Sequence, residues 1–336
     1  MKAIVCNEPG SLTLAERPEP QLRDGEVLIR VRRVGVCGTD FHIYGGKHPY
    51  LEYPRVPGHE LSGEVAQAAP GSQLKPGQQV SINPYLSCGT CVACRRGKPN
   101  CCVAIQVLGV HRDGGMCEFL AVPESNVYPA EGITIDQAAM LEFLAIGAHG
   151  VRRARLEPGM RALVVGTGPV GIGAMLFARL QGVSVTALDA RPERLQFCKE
   201  KLGIESTLMP GDGLQESMRE LTQGDFYDTV FDATGHAGAM MQGFNYVAHG
   251  GTYVLISVVK DFINFSDPEF HKREMSLLGS RNATAEDFRH VLENVRNGKI
   301  PTHLLLTHKA PLSGAVDSFI DWMRPEAGVI KALVAL

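Results

Sequence analysis

Four cysteines within one short segment have the spacing of metal ligands. A CxxCxxC pattern, followed after seven further residues by a fourth cysteine, is formed by Cys88, Cys91, Cys94 and Cys102. Four thiolates on a turn-rich loop are typical of a closed, tetrahedral structural zinc site. Cys101 stands beside the fourth cysteine and is an alternative ligand. We therefore predict a structural zinc loop at about 84–103, in preference to four unrelated buried cysteines.

A glycine-rich turn is the second chemical signal. The run RALVV leads into GTGPVG, with Gly166, Gly168 and Gly171, and a helix-like stretch follows. Such glycines allow a tight turn, close approach of the backbone to a pyrophosphate, and close packing of helix on strand. Free backbone N–H groups and the helix dipole then bind the phosphates. The motif predicts a dinucleotide site rather than a flavodoxin-like turn without a cofactor.

An acidic residue at the end of the next strand indicates which dinucleotide binds. Asp189 lies 18 residues beyond Gly171, about where a carboxylate accepts hydrogen bonds from the adenosine ribose hydroxyls. A carboxylate there would repel a 2′-phosphate, so the sequence favours NAD over NADP. Arg191 and Arg194 follow closely and work against this preference, because either one could bind such a phosphate.

Four more potential metal ligands are dispersed along the chain before the glycine-rich turn. They are Cys37 in CGTDFH, His59 and Glu60 in GHE, and Glu142 in LEF. A single cysteine or histidine is more often part of the packing, since an unligated cysteine behaves as a small hydrophobic residue. Their order ahead of a dinucleotide motif makes them candidates for a second metal site.

The elements that must position these residues differ between the two halves of the chain. Short β-like runs separated by Pro-Gly and Asp-Gly turns predict an irregular barrel of strands, with runs at 2–6, 26–36, 61–67 and 78–82. From about residue 148, strands alternate with helix-like stretches, which is the pattern of βαβ units and a parallel sheet. The strands of this second half are predicted at 161–166, 184–189, 228–235, 252–257 and 274–280.

These patterns predict an α/β protein with two domains. We place a catalytic domain at 1–147, a dinucleotide domain at 148–283 and a returning C-terminal segment at 284–336. A chain of 336 residues exceeds one ordinary core, and 44% hydrophobic with 21% charged residues describes an ordinary globular protein.

The composition also excludes some classes of partner. A net charge of -3 argues against nucleic acid and against anionic membranes. No apolar run approaches the roughly 20 residues needed to span a bilayer. Glu8, Pro9 and Gly10 come too early for a secretory signal, so we expect a cytoplasmic protein. Nine cysteines are an odd count for a disulfide framework.

The motifs together resemble the zinc-containing medium-chain dehydrogenase/reductase superfamily, in its sorbitol and threonine dehydrogenase branch. The resemblance covers both cysteine-containing segments, GHE, DGG-x-x-E-F at 113–119 and the glycine-rich turn, over essentially the full length. YPRV-x-GHE, LGVHRDGG and SDPEFHK look closest to bacterial sugar-acid dehydrogenases of the L-galactonate type. The resemblance implies a GroES-like β-rich catalytic domain and a Rossmann doubly wound NAD domain.

The resemblance also implies a catalytic zinc. Cys37, His59 and Glu142 would bind it, with Glu60 as a nearby or alternating ligand. One thiolate, one neutral imidazole and one carboxylate leave Zn²⁺ formally neutral, and the open position can act as a Lewis acid on a substrate hydroxyl. Phe143 follows Glu142 where the family usually has proline, which puts the local geometry in question.

A proton relay and the remaining cofactor contacts follow from the same resemblance. Thr39 and His42 match the relay positions, although His42 could instead be a surface histidine. Asp40 is a candidate partner that orients His59. The implied cofactor contacts are Gly166, Gly168, Pro169, Val170, Gly171, Asp189, Arg194, Thr234, Ser257, Ser280, Arg281 and Asn282.

The predicted function is oxidation of a secondary alcohol of a polyol or sugar acid by NAD, giving a ketone. A threonine-type or simple polyol dehydrogenase is the alternative, and a homodimer or homotetramer is expected. A zinc-independent quinone reductase would lack both metal clusters, and a silent relative would have lost Cys37, His59 or Glu142. A substrate carboxylate is also expected, with cationic candidates at His111, Arg112, His271, Lys272, Arg273 and Arg281. The alternative is that Lys272 and Arg273 are solvated surface charges and that Arg281 contacts a cofactor phosphate.

Overall fold

The computed structural model describes residues 1–47 and 51–336. The chain divides into two compact units: unit 1 is Met1–Glu142 with Ala283–Leu336, and unit 2 is Phe143–Asn282. Both boundaries fall slightly before the predicted ones at 147/148 and 283/284. The C-terminal segment belongs to unit 1. Within the described residues, every helix is too short or too polar to cross a membrane.

The first part of unit 1 consists mainly of short strands. In chain order its elements are β1 (Lys2–Glu8), β2 (Ser11–Glu16), β3 (Glu26–Val36), α1 (Gly38–Tyr44), β4 (Glu60–Gln67), β5 (Gln79–Ile82), β6 (Tyr85–Leu86), α2 (Val92–Arg95), β7 (Gln106–Val107), β8 (Phe119–Pro123), β9 (Val127–Pro129) and α3 (Ile135–Ala139).

Unit 2 alternates helices and strands. Its elements are α4 (Leu141–Ala154), whose first two residues still belong to unit 1, β10 (Arg161–Val165), α5 (Pro169–Leu180), β11 (Ser184–Leu188), α6 (Pro192–Leu202), β12 (Ser206–Leu208), α7 (Leu214–Thr222), β13 (Tyr227–Asp232), α8 (Ala237–Gly243), β14 (Val247–Leu255), α9 (Asp267–Lys272) and β15 (Ser276–Gly279).

The chain then returns to unit 1. The returning elements are α10 (Ala285–Arg296), α11 (Thr302–Leu305), β16 (Leu306–Pro311), α12 (Ala315–Trp322) and β17 (Lys331–Ala335).

The main sheet of unit 1 is built around the long strand β3. Its strand order is β16-β17-β3-β4-β5-β9, and β8 also pairs with β3. Val27, Ile29 and Val31 alternate inward along β3 and are fully or almost fully buried, as expected for a strand with one face on the core. Gly35 near the end of β3 is in register with Glu60 at the start of β4. This strand pair positions the first group of candidate ligands.

The sheet of unit 2 is parallel, with the order β12-β11-β10-β13-β14-β15. The first strand of the unit, β10, lies beside the fourth, β13, so the topological switch point falls between them. In such sheets ligands bind outside the carboxyl ends of the strands near this point. The strand predicted at 252–257 lies mostly in β14, one strand in from the edge strand β15, and its Tyr253 and Val254 are fully buried.

Candidate metal centre and cofactor site

Cys37 is held at the junction of β3 and α1. It is the N-cap of α1, and its Sγ accepts a hydrogen bond from the backbone N–H of Thr39 at 3.2 Å. The Asp40 carboxylate accepts from the Cys37 N–H at 2.9 Å, which completes a capping box. Because both the backbone N–H and the Sγ of Cys37 are hydrogen-bonded, the cap fixes the direction of the sulfur.

The GHE turn is shaped by glycines that no larger residue could replace. Gly58 has φ of +97°, and a Cβ there would lie 2.6 Å from Val34 Cγ1. A Cβ on Gly35 would collide with the Glu60 carboxylate. The Gly58 N–H also donates to Asp40 at 3.1 Å. The turn therefore packs His59 and Glu60 closely against the end of β3.

These residues bring several metal-binding atoms together. His59 Nε2 lies 3.1 Å from Cys37 Sγ, and its Nδ1 lies 3.8 Å from the Asp40 carboxylate. Ligand atoms of His59, Glu60 and Glu142 lie within 4.8 Å of one another, as do those of Cys37, Asp40 and His59. His59 is common to both groups, so the predicted ligands of the catalytic metal converge on its imidazole.

The donor set fits a divalent cation. His59, Glu60 and Glu142 are all buried, so water cannot stabilise their charges. Burial raises the pKa of Glu142 to about 7. Burial lowers the pKa of His59, but the negative charges of Cys37 and Asp40 outweigh it and raise that pKa well above its usual value. A thiolate, an imidazole and a carboxylate in a buried site suit Zn²⁺, which would supply the missing positive charge.

Two residues that the sequence analysis missed contact the carboxylates of this site. Lys331 Nζ lies 2.6 and 2.7 Å from the two oxygens of Glu60, and its side chain is fully buried. The Tyr85 hydroxyl donates a hydrogen bond to Glu142 Oε1. Lys331 had a signal in the sequence, because a lysine in the apolar run VIKALVAL needs a buried partner. For Tyr85 we find no such signal.

The remaining residues predicted near this centre lie on its helices. Asp40 is buried against the GHE turn, as described above, whereas His42 is exposed in the last turn of α1. Glu142 lies in the first turn of α4, and Phe143 continues the same helix. Proline is tolerated in a first helical turn. The replacement of proline by Phe143 therefore leaves Glu142 in a regular helical turn.

The cysteine-rich loop forms the other potential metal site. The sulfur atoms of Cys88, Cys91, Cys94 and Cys102 lie within 4.8 Å of one another, and Cys101 is exposed and outside this group. Backbone N–H groups of Thr90 and Cys91 lower the pKa of Cys88 to about 6, which favours its thiolate, whereas burial raises the pKa of Cys94 to about 11. The geometry therefore favours Cys102 over Cys101 as the fourth ligand.

The glycine-rich turn of unit 2 connects β10 to α5. Gly166 has φ of +92°, and a Cβ on Gly171 would collide with the Gly166 carbonyl oxygen. Gly168 is the N-cap of α5 and Pro169 is its first residue, and in this described part of the chain no side chain makes a capping hydrogen bond to the helix. This is the arrangement that binds a pyrophosphate at a helix N-terminus.

Asp189 follows β11 and is bound to the glycine-rich turn. Its Oδ2 accepts hydrogen bonds from the backbone N–H and the hydroxyl of Thr167 at 2.7 and 2.8 Å. Its Oδ1 accepts from the Arg191 N–H at 2.9 Å. The Arg191 side chain pairs with Glu193, with Nε 2.9 Å from the carboxylate. The carboxylate therefore lies at the carboxyl end of β11 beside the glycine-rich turn, and its contact with the ribose hydroxyls stays a prediction.

Asp189→Ala should lower kcat/KM for NAD by about ten- to a hundredfold, because hydrogen bonds to a charged group contribute about 1.5–3 kcal/mol. The loss for NADP should be smaller, because the repulsion of its 2′-phosphate is removed as well. Steady-state kinetics with both cofactors measures the ratio of kcat/KM for NAD to kcat/KM for NADP. Asp225→Ala is the matched control, since Asp225 is an exposed acid that precedes β13. A wild-type enzyme that prefers NADP would contradict the assignment.

The other predicted cofactor residues follow the carboxyl ends of the strands. Thr234 and Ser257 both hydrogen-bond the buried Asp232, which ends β13. Arg194 lies in the first turn of α6. Beyond β15, Ser280 is buried, and Asn282 has φ of +54°. The predicted set therefore gathers at the sheet edge that carries the glycine-rich turn, and each contact with a cofactor stays a prediction.

Part of the predicted carboxylate-binding group lies elsewhere. Arg273 donates to the Val247 carbonyl at 2.8 Å, where β14 begins, and both Arg273 and Lys272 pair with Glu269. The glycine-rich turn lies at the opposite, carboxyl edge of this parallel sheet. The prediction is therefore wrong for Lys272, Arg273 and the neighbouring His271 of α9. Arg281 follows the carboxyl end of β15, and His111 and Arg112 lie in unit 1.

Known proteins resemble this chain over nearly its whole length. Residues 23–132 match the family described as alcohol dehydrogenase GroES-like domain, and residues 169–297 match zinc-binding dehydrogenase. A curated relative, L-galactonate-5-dehydrogenase of Escherichia coli K12, is 42% identical over 95% of this chain and 94% of its own length.

Solved structures agree with this similarity. An alcohol dehydrogenase from Escherichia coli CFT073, complexed with NADH, matches with a TM-score of 0.94 and 29% identity over 100% of this chain and 99% of that one. A protein described as a zinc-binding dehydrogenase, from Sinorhizobium meliloti 1021 and bound to NADP, matches with a TM-score of 0.92 and 26% identity over 100% of this chain and 99% of that one. The chain belongs to the zinc-binding alcohol dehydrogenase family and is an NAD-dependent dehydrogenase.

Proposed function

We propose that this enzyme oxidises a secondary hydroxyl of a sugar acid resembling L-galactonate, with NAD as the hydride acceptor and a ketone as the product. The observation that carries the substrate class is the 42% identity to L-galactonate-5-dehydrogenase along almost the full length of both chains. The half-buried Cys37 and the buried His59 and Glu142 support the metal-dependent chemistry, because they offer the donors of a catalytic zinc site.

The residues of unit 1 would bind and orient the reacting alcohol. Cys37, His59 and Glu142 would hold zinc, whose Lewis acidity favours loss of the substrate hydroxyl proton. The burial of His59 and Glu142 limits the access of water and strengthens the electrostatic interactions with the reacting group. The oxidation removes a hydride from the carbinol carbon and a proton from its hydroxyl, so the enzyme must also release a proton.

Thr39 and His42 are the proposed route for that proton. Both belong to α1, whose N-cap is Cys37, so the helix extends away from the metal centre. Thr39 is partly buried and His42 is exposed, which suits an inner and an outer member of a relay. An exposed imidazole can exchange protons with solvent.

Comparison of an aldonate with its matching alditol tests the substrate class. We expect kcat/KM with NAD to be about ten- to a hundredfold higher for the acid, because a charge-assisted contact to its carboxylate contributes about 1.5–3 kcal/mol. Ala replacements at Arg112 and Arg281 should show which cation binds the carboxylate, through a loss confined to the acid.

Arg273→Ala is the control for this experiment, since Arg273 lies at the amino edge of the unit 2 sheet. It should leave the ratio of acid to alditol unchanged. Equal or faster turnover of the alditol would exclude a carboxylate pocket and favour a polyol dehydrogenase. Threonine is included as a substrate, because its preferential oxidation would identify the threonine-type alternative.

A further inference from the structure

Two buried carboxylates compete for one position beside His59. Glu60 and Glu142 both place an oxygen within 4.8 Å of the imidazole, and both are almost completely inaccessible to solvent. A catalytic site needs an open coordination position, so only one of them can be the third protein ligand at rest. The groups that hydrogen-bond each carboxylate decide which of the two is the ligand.

Glu60 is held by a full positive charge. Lys331 Nζ contacts both of its oxygens and also lies 3.3 Å from the Val36 carbonyl, all within the core of unit 1. This ammonium neutralises Glu60 and occupies both oxygens. Moving Glu60 toward a metal would leave a buried ammonium without its partner, which is costly.

Glu142 is held by a neutral donor instead. The Tyr85 hydroxyl contacts Oε1, so it orients the carboxylate without cancelling its charge and leaves Oε2 for a metal. Such hydrogen bonds to ligating carboxylates set their orientation and basicity. A neutral donor therefore preserves the negative charge that a zinc ligand needs, whereas an ammonium neutralises that charge.

Tyr85 is itself fixed by a buried polar network. Its N–H donates to the Asn83 side chain at 3.0 Å, and its carbonyl accepts from the Asn126 side chain at 3.1 Å. The side chain of Asn126 also donates to the Asn83 carbonyl at 2.9 Å. These bonds hold the short strand β6 in place, so the hydroxyl has one defined position against Glu142.

We propose that Tyr85 is a positioning residue that fixes Glu142 as the third protein ligand of the catalytic zinc, while Lys331 keeps Glu60 out of the coordination sphere. This proposal rests on the zinc-dependent part of the proposed function and is independent of the substrate. Tyr85 acts through Glu142, and the structure gives it no other polar contact through its hydroxyl among the residues described.

Tyr85→Phe tests this proposal in the purified, zinc-loaded enzyme. Competition with a chelator should show about 10- to 100-fold weaker binding of the catalytic zinc, the usual effect of losing such a partner. In the Co²⁺-substituted enzyme the visible d–d bands of the catalytic site should shift, whereas those of the tetrathiolate site should not. Neither readout requires a substrate, so failure of the sugar-acid assignment would leave the result interpretable.

Tyr253→Phe is the matched control, because Tyr253 is a fully buried tyrosine of unit 2 whose hydroxyl donates to the Met240 carbonyl at 2.9 Å. It should lose stability without a change in zinc affinity or in the Co²⁺ bands. Unchanged zinc affinity and bands in folded Tyr85→Phe would overturn the proposal. Should Tyr85→Phe fail to fold, Tyr85→His decides, because the histidine ring N–H can replace the tyrosine hydroxyl as the donor. Catalytic zinc bound to Tyr85→His supports the proposal. Loss of that zinc from folded Tyr85→His overturns it.

Discussion

Replacing Cys37, His59 or Glu142 by alanine should lower kcat/KM at least about a thousandfold. A bound metal stabilises the developing negative charge on a substrate oxygen by several kcal/mol, and each 1.4 kcal/mol or so corresponds to a tenfold change in rate. Cys37 and Glu142 each belong to a group of potential ligands that includes His59, and all three side chains are buried or half-buried, so water cannot replace a missing ligand without reorganisation. Steady-state kinetics and zinc analysis of each variant measure the effect.

Cys6→Ala is the control for Cys37→Ala, because Cys6 is a buried cysteine of unit 1 outside both ligand groups. It should keep activity and zinc. The Thr39→Val and His42→Ala variants should retain zinc. Their kcat/KM should fall by about 10²–10⁴-fold, as expected for loss of proton transfer. If Glu142→Ala keeps both zinc and rate, Glu60 is the true ligand.

Loss of the tetrathiolate site should unfold the loop that contains it. The loop at 84–103 has little regular structure of its own: α2 spans four residues and β6 two. A bound zinc therefore supplies most of its folding energy, and losses of structural metals are among the changes that exceed about 4 kcal/mol. Cys94→Ser should lower the thermal midpoint and leave one zinc per chain where the wild type has two.

Cys101→Ser is the matched control, since Cys101 is exposed and adjacent to Cys102 but outside the sulfur cluster. It should retain both metals and the wild-type midpoint. A mild chelator should remove zinc and activity from the wild type while the fold persists, because the open catalytic site exchanges faster than a closed one. Retention of both metals by Cys102→Ser, with loss from Cys101→Ser, would reverse the ligand assignment.

Sequence patterns located the elements with strong periodicity. The alternation along β3, the buried strands β10, β11 and β13, and the helix α5 after the glycine-rich turn lie close to their predicted positions. Short elements such as β6, β9 and β12 were missed. A strand of two or three residues contains too few positions to show a period, and it forms because a neighbouring strand supplies its hydrogen bonds.

The family and the types of the candidate ligands were determined by the sequence alone, because spacing within CxxCxxC, GHE and GTGPVG is a local property. The partners of those ligands were decided by the tertiary structure. Tyr85 and Glu142 are 57 positions apart, and Glu60 and Lys331 are 271 positions apart. The tertiary structure also decided that Lys272 and Arg273 lie at the amino edge of the unit 2 sheet. Spacing along the chain carries no information on such contacts, because the packing of strands and helices sets them.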